Sequence, residues 1–204
     1  MKKIFKKLFS KSRINLIQKY LSVKNPVILE IGIHKGDFSE ELLQKLNPKR
    51  LILVDPWIAY SDLIYKKSWY GNTQHSNQNI QDQYFLDVNK RFEKDILENK
   101  IQLYRKTSDE FFLENKSKFD LIYIDGNHLF EFVKKDIENS LKFINDDGLI
   151  VLDDYGLKGW WLDGITKAVK YHEKDKRIKV LIRHNIFDYH HQCIVKKVTK
   201  SNKN

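Results

Sequence analysis

Short, unbroken apolar runs recur along the chain, with amphipathic stretches between them. The runs VILEI (27–31), LILVD (51–55), IQLYR (101–105), LIYID (121–125) and LIVLD (149–153) show little alternation of polar and apolar positions. A strand with one wet face alternates, whereas a strand covered on both faces reads as a continuous run. Between the runs, DFSEELLQKL (37–46), a stretch from about Ser108, and FEFVKKDIENSLKFI (130–144) have helical character. Acids in the first turns, Asp37 in one and Asp109 and Glu110 in another, suit the positive end of a helix. A further helix is expected over roughly 160–173. Strands alternating with helices predict a parallel sheet covered on both faces. The last two runs, IKVLIRH (178–184) and HHQCIVKKV (190–198), lie too close for a helical crossover and must form an antiparallel hairpin. The expected class is α/β: a doubly wound, mostly parallel, seven-stranded sheet ending in that hairpin.

One region departs from the scheme. Residues 56–99 are too long for a simple crossover. Tyr84, Phe85, Val88 and Phe92 keep helical spacing and mark the crossover helix, while 56–83, rich in Tyr, Trp, Gln and Asn, reads as an inserted loop or lid. His75 within it is a candidate to close over a substrate. The domain is expected to span 26–198, after a basic N-terminal segment (1–25) with a short helical pattern from Ile14 to Tyr20, and before a frayed tail (199–204).

The 204 residues, 41% hydrophobic and 31% charged, suit one globular domain. No run approaches the roughly 20 apolar residues of a membrane span. A single cysteine, Cys193, excludes an internal disulfide and a cysteine-rich zinc site, and fits a reducing, cytoplasmic setting. The start MKKIFKKLFSK lacks the long apolar core of a signal peptide. Its Phe and Leu at 4–9 suit either a membrane surface or a ragged basic terminus. Net charge is +10, from 37 Lys+Arg against 27 Asp+Glu. Those cations are spread along the chain, which favours solubility over a polyanion surface, so no specific nucleic-acid partner is expected. A homo-oligomer is left open.

The first run leads into Glu30-Ile31-Gly32-Ile33-His34-Lys35-Gly36-Asp37. Glycines at a strand-to-helix turn let backbone approach a ligand, and the helix start offers free N–H groups. The spacing is not that of a pyrophosphate cradle, and Glu30 would repel phosphate while suiting a cationic ligand. Asp55, ending the second run, is placed to accept from ribose hydroxyls; the alternative is an acid capping the next turn.

Glu30-x-Gly32-x-x-x-Gly36, Asp55, Ser108-Asp109 and FDLIYIDGNH together resemble the class I, Rossmann-like S-adenosylmethionine-dependent methyltransferases. The resemblance implies a methionine moiety over the Gly32–Gly36 turn, ribose on Asp55, and adenine near Ser108 and Asp109. Trp57 would either stack nearby or belong to the core of the lid. His34 stands where the family usually has a third glycine.

The fourth and fifth runs both end in acid. As neighbouring strands they would bring Asp125, Asp153 and Asp154 together, where mutual repulsion raises at least one pKa unless a cation intervenes. All-oxygen ligation suits Mg2+ or Mn2+. Read singly, Asp125 is a helix cap and Asp153 and Asp154 are turn residues; the coincidence favours a metal. This pattern is similar to the metal-dependent O-methyltransferases of the catechol and macrolide-sugar types, and the resemblance implies Asp125, Asp153 and Asp154 as ligands and His128 as base. A histidine at that place matches the sugar enzymes. The expected reaction is metal-assisted O-methylation of a small polyhydroxylated acceptor, such as a sugar or glycan precursor. Trp160 and Trp161 either wall the acceptor pocket or anchor the next helix.

Overall fold

The computed structural model describes residues 13–74, 76–186 and 190–199. Strands β1 (Val27–Ile31), β2 (Arg50–Val54), β3 (Ile101–Tyr104), β4 (Phe119–Ile124), β5 (Ile144–Leu152), β6 (Ile178–Ile186) and β7 (His190–Lys197) form one sheet in the order β3-β2-β1-β4-β5-β7-β6. The pairs from β3 through β5 are parallel, and β7 inserts antiparallel between β5 and β6. The expected sheet and terminal hairpin are therefore observed.

Both faces are covered, which is why the strand interiors are apolar throughout. One face packs Leu29, Ile52, Ile122 and Ile150 under α5 (Ser108–Glu114), α6 (Phe130–Phe143) and α7 (Gly164–Lys174). The other packs Ile28, Leu51, Leu121 and Val151 under α2 (Asp37–Leu46) and the end of α3 (Gln78–Arg91). A helix over 13–20, α1, joins this second face by burying Ile14 and Ile17. The N-terminal helix is thus built into the domain. A short helix, α4 (Glu93–Leu97), completes the crossover to β3.

Three boundaries differ from expectation. Helix α3 begins well before Tyr84, because the Asn77 side chain accepts from Ile80 N–H and caps it. Strand β5 begins at Ile144, through an exposed polar stretch the apolar pattern could not register. Helix α7 starts only at Gly164, since Gly159 and Leu162 first close a tight loop by mutual backbone hydrogen bonds.

The strand ends position the site. Asp55, Asp125 and Asp153 each fall one residue beyond a strand, yet their N–H groups still donate to Tyr104, Ile31 and Ile124 carbonyls at 3.2, 2.8 and 3.1 Å. The ladder therefore holds the acid-bearing backbone although the side chains stand past the sheet. Strands β1 and β4 are adjacent where the chain order reverses, the switch point at which open α/β sheets take ligands.

Candidate active site

A cavity of about 530 Å3 opens over that switch point, with Glu30, Gly32, Asp55, Ser108, Asp125 and His128 among its walls. Gly32 has φ +89°, and a side chain there would collide with the Asp125 carbonyl oxygen. Only glycine lets the β1 turn lie against the end of β4. Gly36, φ +77°, caps α2 over Phe92. His34 lines the cavity at φ 52°, a conformation histidine tolerates better than most residues; its ring lies 5.0 Å from Tyr84 and 5.9 Å from Trp69.

Asp55 lies in the cavity wall and is also a staple. Its Oδ2 accepts from Ile33 and His34 N–H at 2.8 and 3.0 Å, and its Oδ1 from Trp57 N–H at 2.8 Å. The carboxylate thus holds the glycine turn in shape and keeps acceptor capacity on Oδ1. Trp57 requires a correction. Its indole is buried beside Phe85, donates to the His34 carbonyl at 2.9 Å, and is not part of the cavity wall. It braces the turn and is not placed to stack on a ligand.

Ser108 and Asp109 open α5 at the cavity edge, after a capping box between Thr107 and Glu110. Asp109 pairs with Lys135 at 2.6 Å. Ser108 meets Asp136, a buried acid on α6 that sequence reading passed over as part of a helical pattern. Burial pushes the Asp136 carboxyl up to about 7, against the pull of Ser108. Glu30 is 1% exposed. Burial drives it up to about 8; Ser39 and Arg13 oppose this, and Asp125 and Asp55 add to it. Its Oε2 has no hydrogen-bond partner among the described residues.

Just past β4, His128 sits between two carboxylates. Its Nε2 lies 3.3 Å from Asp125 Oδ1 and its Nδ1 3.6 Å from Asp154 Oδ2. Burial raises the Asp125 carboxyl to about 7, with Asp153 adding and His128 opposing. Asp154 is raised by burial and by Asp153. Burial alone would lower His128, but its hydrogen bond to Asp125 and the surrounding carboxylates outweigh that and leave it above the ordinary histidine value.

Asp153 stands apart. Its Oδ2 accepts from Arg13 Nη1 at 2.6 Å. The atoms placed to share a cation, all within 4.8 Å of one another, belong to Asp125, His128 and Asp154. The expected set of Asp125, Asp153 and Asp154 is therefore divided, because α1 delivers its own cation to Asp153. The carboxylates' charge is met in part by the protein's own cation, Arg13. Arg13 is the residue sequence reading missed most completely. It lies 140 positions from its partner, and only the buried Ile14 and Ile17 beside it hint that this helix docks.

In the insertion at 56–83, Tyr65 packs against Tyr60, Tyr70 and Trp160 at 5.0, 5.7 and 5.5 Å, so this segment rests against the loop after β5. Asn127 donates to the Tyr65 hydroxyl at 3.0 Å, and Trp161 stands edge-on to His128 at 4.9 Å. Trp160 and Trp161 do wall the cavity. His75, residues 1–12 and residues 200–204 lie outside the described residues.

A family model described as a methyltransferase domain matches residues 29–155, well over half of the chain. The chain belongs to this methyltransferase family. No curated protein gives a significant match. Among solved structures, the methyltransferase resembles a putative rRNA methylase from Clostridium thermocellum: TM-score 0.64, 12% identity, covering 93% of this chain and 96% of that one. It also resembles an O-methyltransferase from Bacillus cereus solved with SAH: TM-score 0.60, 14% identity, 92% and 81% covered. A third is the O-methyltransferase TomG of Streptomyces achromogenes, involved in tomaymycin synthesis and solved with SAM: TM-score 0.58, 14% identity, 86% and 74% covered. At these identities the likeness is one of fold. Among the described residues no helix is long and apolar enough to cross a membrane.

Proposed function

We propose that this methyltransferase uses S-adenosylmethionine to O-methylate a small polyhydroxylated acceptor, such as a sugar or glycan precursor. The observation that carries the reading is a single cavity walled both by the turn from Glu30 to Lys35 and by His128, flanked by Asp125 and Asp154. The methionine moiety lies over Gly32 and Gly36, ribose meets Asp55, and adenine meets Ser108 and Asp109. The acceptor hydroxyl enters under Tyr70, Trp160 and Trp161, whose ring faces suit the apolar face of a sugar.

The acceptor oxygen attacks the sulfonium methyl carbon as the carbon–sulfur bond breaks, releasing a neutral thioether. The hydroxyl proton passes to neutral His128, and the resulting imidazolium is stabilised between Asp125 and Asp154. Walls of lid and β5–α7 loop align the reactants and exclude water. Two carboxylates with an adjoining imidazole fit Mg2+ or Mn2+; Asp125 and Asp154 would hold it, and it would lower the pKa of a bound acceptor hydroxyl.

The test is transfer of a radiolabelled methyl group from S-adenosylmethionine to a panel of nucleotide sugars, free sugars and total cellular RNA. Label in a hydroxylated small molecule supports the proposal. Label in RNA would favour nucleic-acid methylation, the alternative that the +10 charge allows. S-adenosylmethionine binding without transfer to any acceptor would point to a non-catalytic binding protein.

A further inference from the structure

Large apolar side chains stand in water around the mouth of the cavity. In the insertion at 56–83, Leu63 is 78% exposed and Trp69 79%, with Ile64 exposed beside them; in the loop after β5, Leu162 is 69% exposed. The two loops meet where Tyr65 and Tyr70 pack against Trp160, each one or two positions from an exposed apolar residue. These side chains therefore share one rim, and Trp69 also belongs to the cavity wall. Leu162 is the least expected of them. Its φ is 60°, in the left-handed region that favours Gly and Asn. Neither backbone preference nor packing accounts for a leucine there, which leaves its apolar surface to be explained.

Lysines interleave with this rim. Across residues 57–77 and 155–162 stand Lys66, Lys67 and Lys158, all exposed, against one acid, Asp62. Residues 2–11, KKIFKKLFSK, repeat the mixture and lead into Arg13, which lines the same cavity. A second copy of this chain fits poorly, because a two-fold interface would set the lysines against themselves. Aromatic and aliphatic groups with lysines between them suit the boundary of an anionic bilayer. Rings and methyl groups enter the acyl edge there, and ammonium groups meet phosphates.

We propose that the cavity mouth docks on an anionic membrane surface, with Leu63, Trp69 and Leu162 inserted and Lys66, Lys67 and Lys158 on the lipid phosphates. The cavity then opens toward the bilayer, so acceptors at that surface reach it directly. Docking is measured without methyl transfer, so it stands or falls apart from the reaction proposed above.

The experiment is co-sedimentation of the full chain with vesicles of equal parts phosphatidylglycerol and phosphatidylcholine, and with vesicles of phosphatidylcholine alone. The chain should pellet with the mixed vesicles, bind pure phosphatidylcholine far more weakly, and detach as salt rises. Leu162→Asn, which suits the backbone at φ 60°, should fold at least as well as wild type by circular dichroism and bind mixed vesicles roughly 3- to 10-fold less. Lys66→Gln and Lys67→Gln should each cost about fivefold. Equal binding to both vesicles, binding to neither, or unchanged binding in both Leu162→Asn and Leu63→Ser would overturn the proposal. So would a wild-type dimer in sedimentation velocity that Leu162→Asn dissociates, which would give this rim to a second copy.

Discussion

Glu30 gives the sharpest energetic prediction. It is a carboxyl at 1% exposure whose pKa burial has raised from 4.5 to about 8. A group raised in the folded state contributes its stability below the unfolded value and loses it as pH climbs through the folded value. Here that loss runs from 4.5 to about 8. At pH 7 the unfolded chain has ionised Glu30 and the folded chain has not. Over the 2.5 units above 4.5, at about 1.4 kcal/mol per unit, the folded state forgoes about 3 kcal/mol. Glu30→Gln removes the titration and keeps the shape. For a chain of this length that stabilisation should raise Tm by roughly 6–12 °C at pH 7 and by little at pH 5. Scanning calorimetry of both proteins across pH 5–8 reads the loss of the Glu30 carboxyl together with its coupling to Asp125. The same variant should bind S-adenosylhomocysteine more weakly, the familiar exchange of stability for a strained site. If the two Tm values coincide at pH 7, or differ by the same amount at every pH, the assignment of Glu30 as a buried, strained acid is wrong.

Other outcomes follow from the same geometry. His128→Asn should cut methyl transfer by about 100- to 10,000-fold and leave S-adenosylhomocysteine affinity unchanged in titration; retained turnover would remove it as the base. Gly32→Ala places a methyl group against the Asp125 carbonyl at φ +89° and should destabilise the fold by at least about 2 kcal/mol, seen as a lower urea midpoint. Chelation with EDTA should abolish transfer, and Mg2+ or Mn2+ should restore it. Turnover that survives chelation leaves Asp125 and Asp154 to act on His128 alone. Trp57→Ala should cost about 3–5 kcal/mol in thermal unfolding, as for other buried tryptophans.

The sheet was legible because burial on both faces imposes continuous apolar runs, and those runs stop where the backbone leaves the ladder. The acids at 55, 125 and 153 mark those exits, so their gathering at one rim could be foreseen. What each acid does there could not. Asp55 and Trp57 took their roles from the shape of the β1 turn, which bends back to use their hydrogen-bonding groups. Asp153 took its role from Arg13, on a helix remote in sequence, and no spacing rule reports a contact across that distance. Asp136 was hidden because one acid on a helix is ordinary until the opposite element buries it. The lid's tyrosines were visible as composition; their packing onto Trp160 was not.

A structure of the protein with S-adenosylhomocysteine bound is the most direct test of the account. The account predicts the methionine moiety over the Gly32–Gly36 turn, adenine beside Ser108 and Asp109, and sulfur facing His128 across the space of one acceptor oxygen. A ligand seated elsewhere, or a sulfur turned away from Asp125, His128 and Asp154, would contradict it.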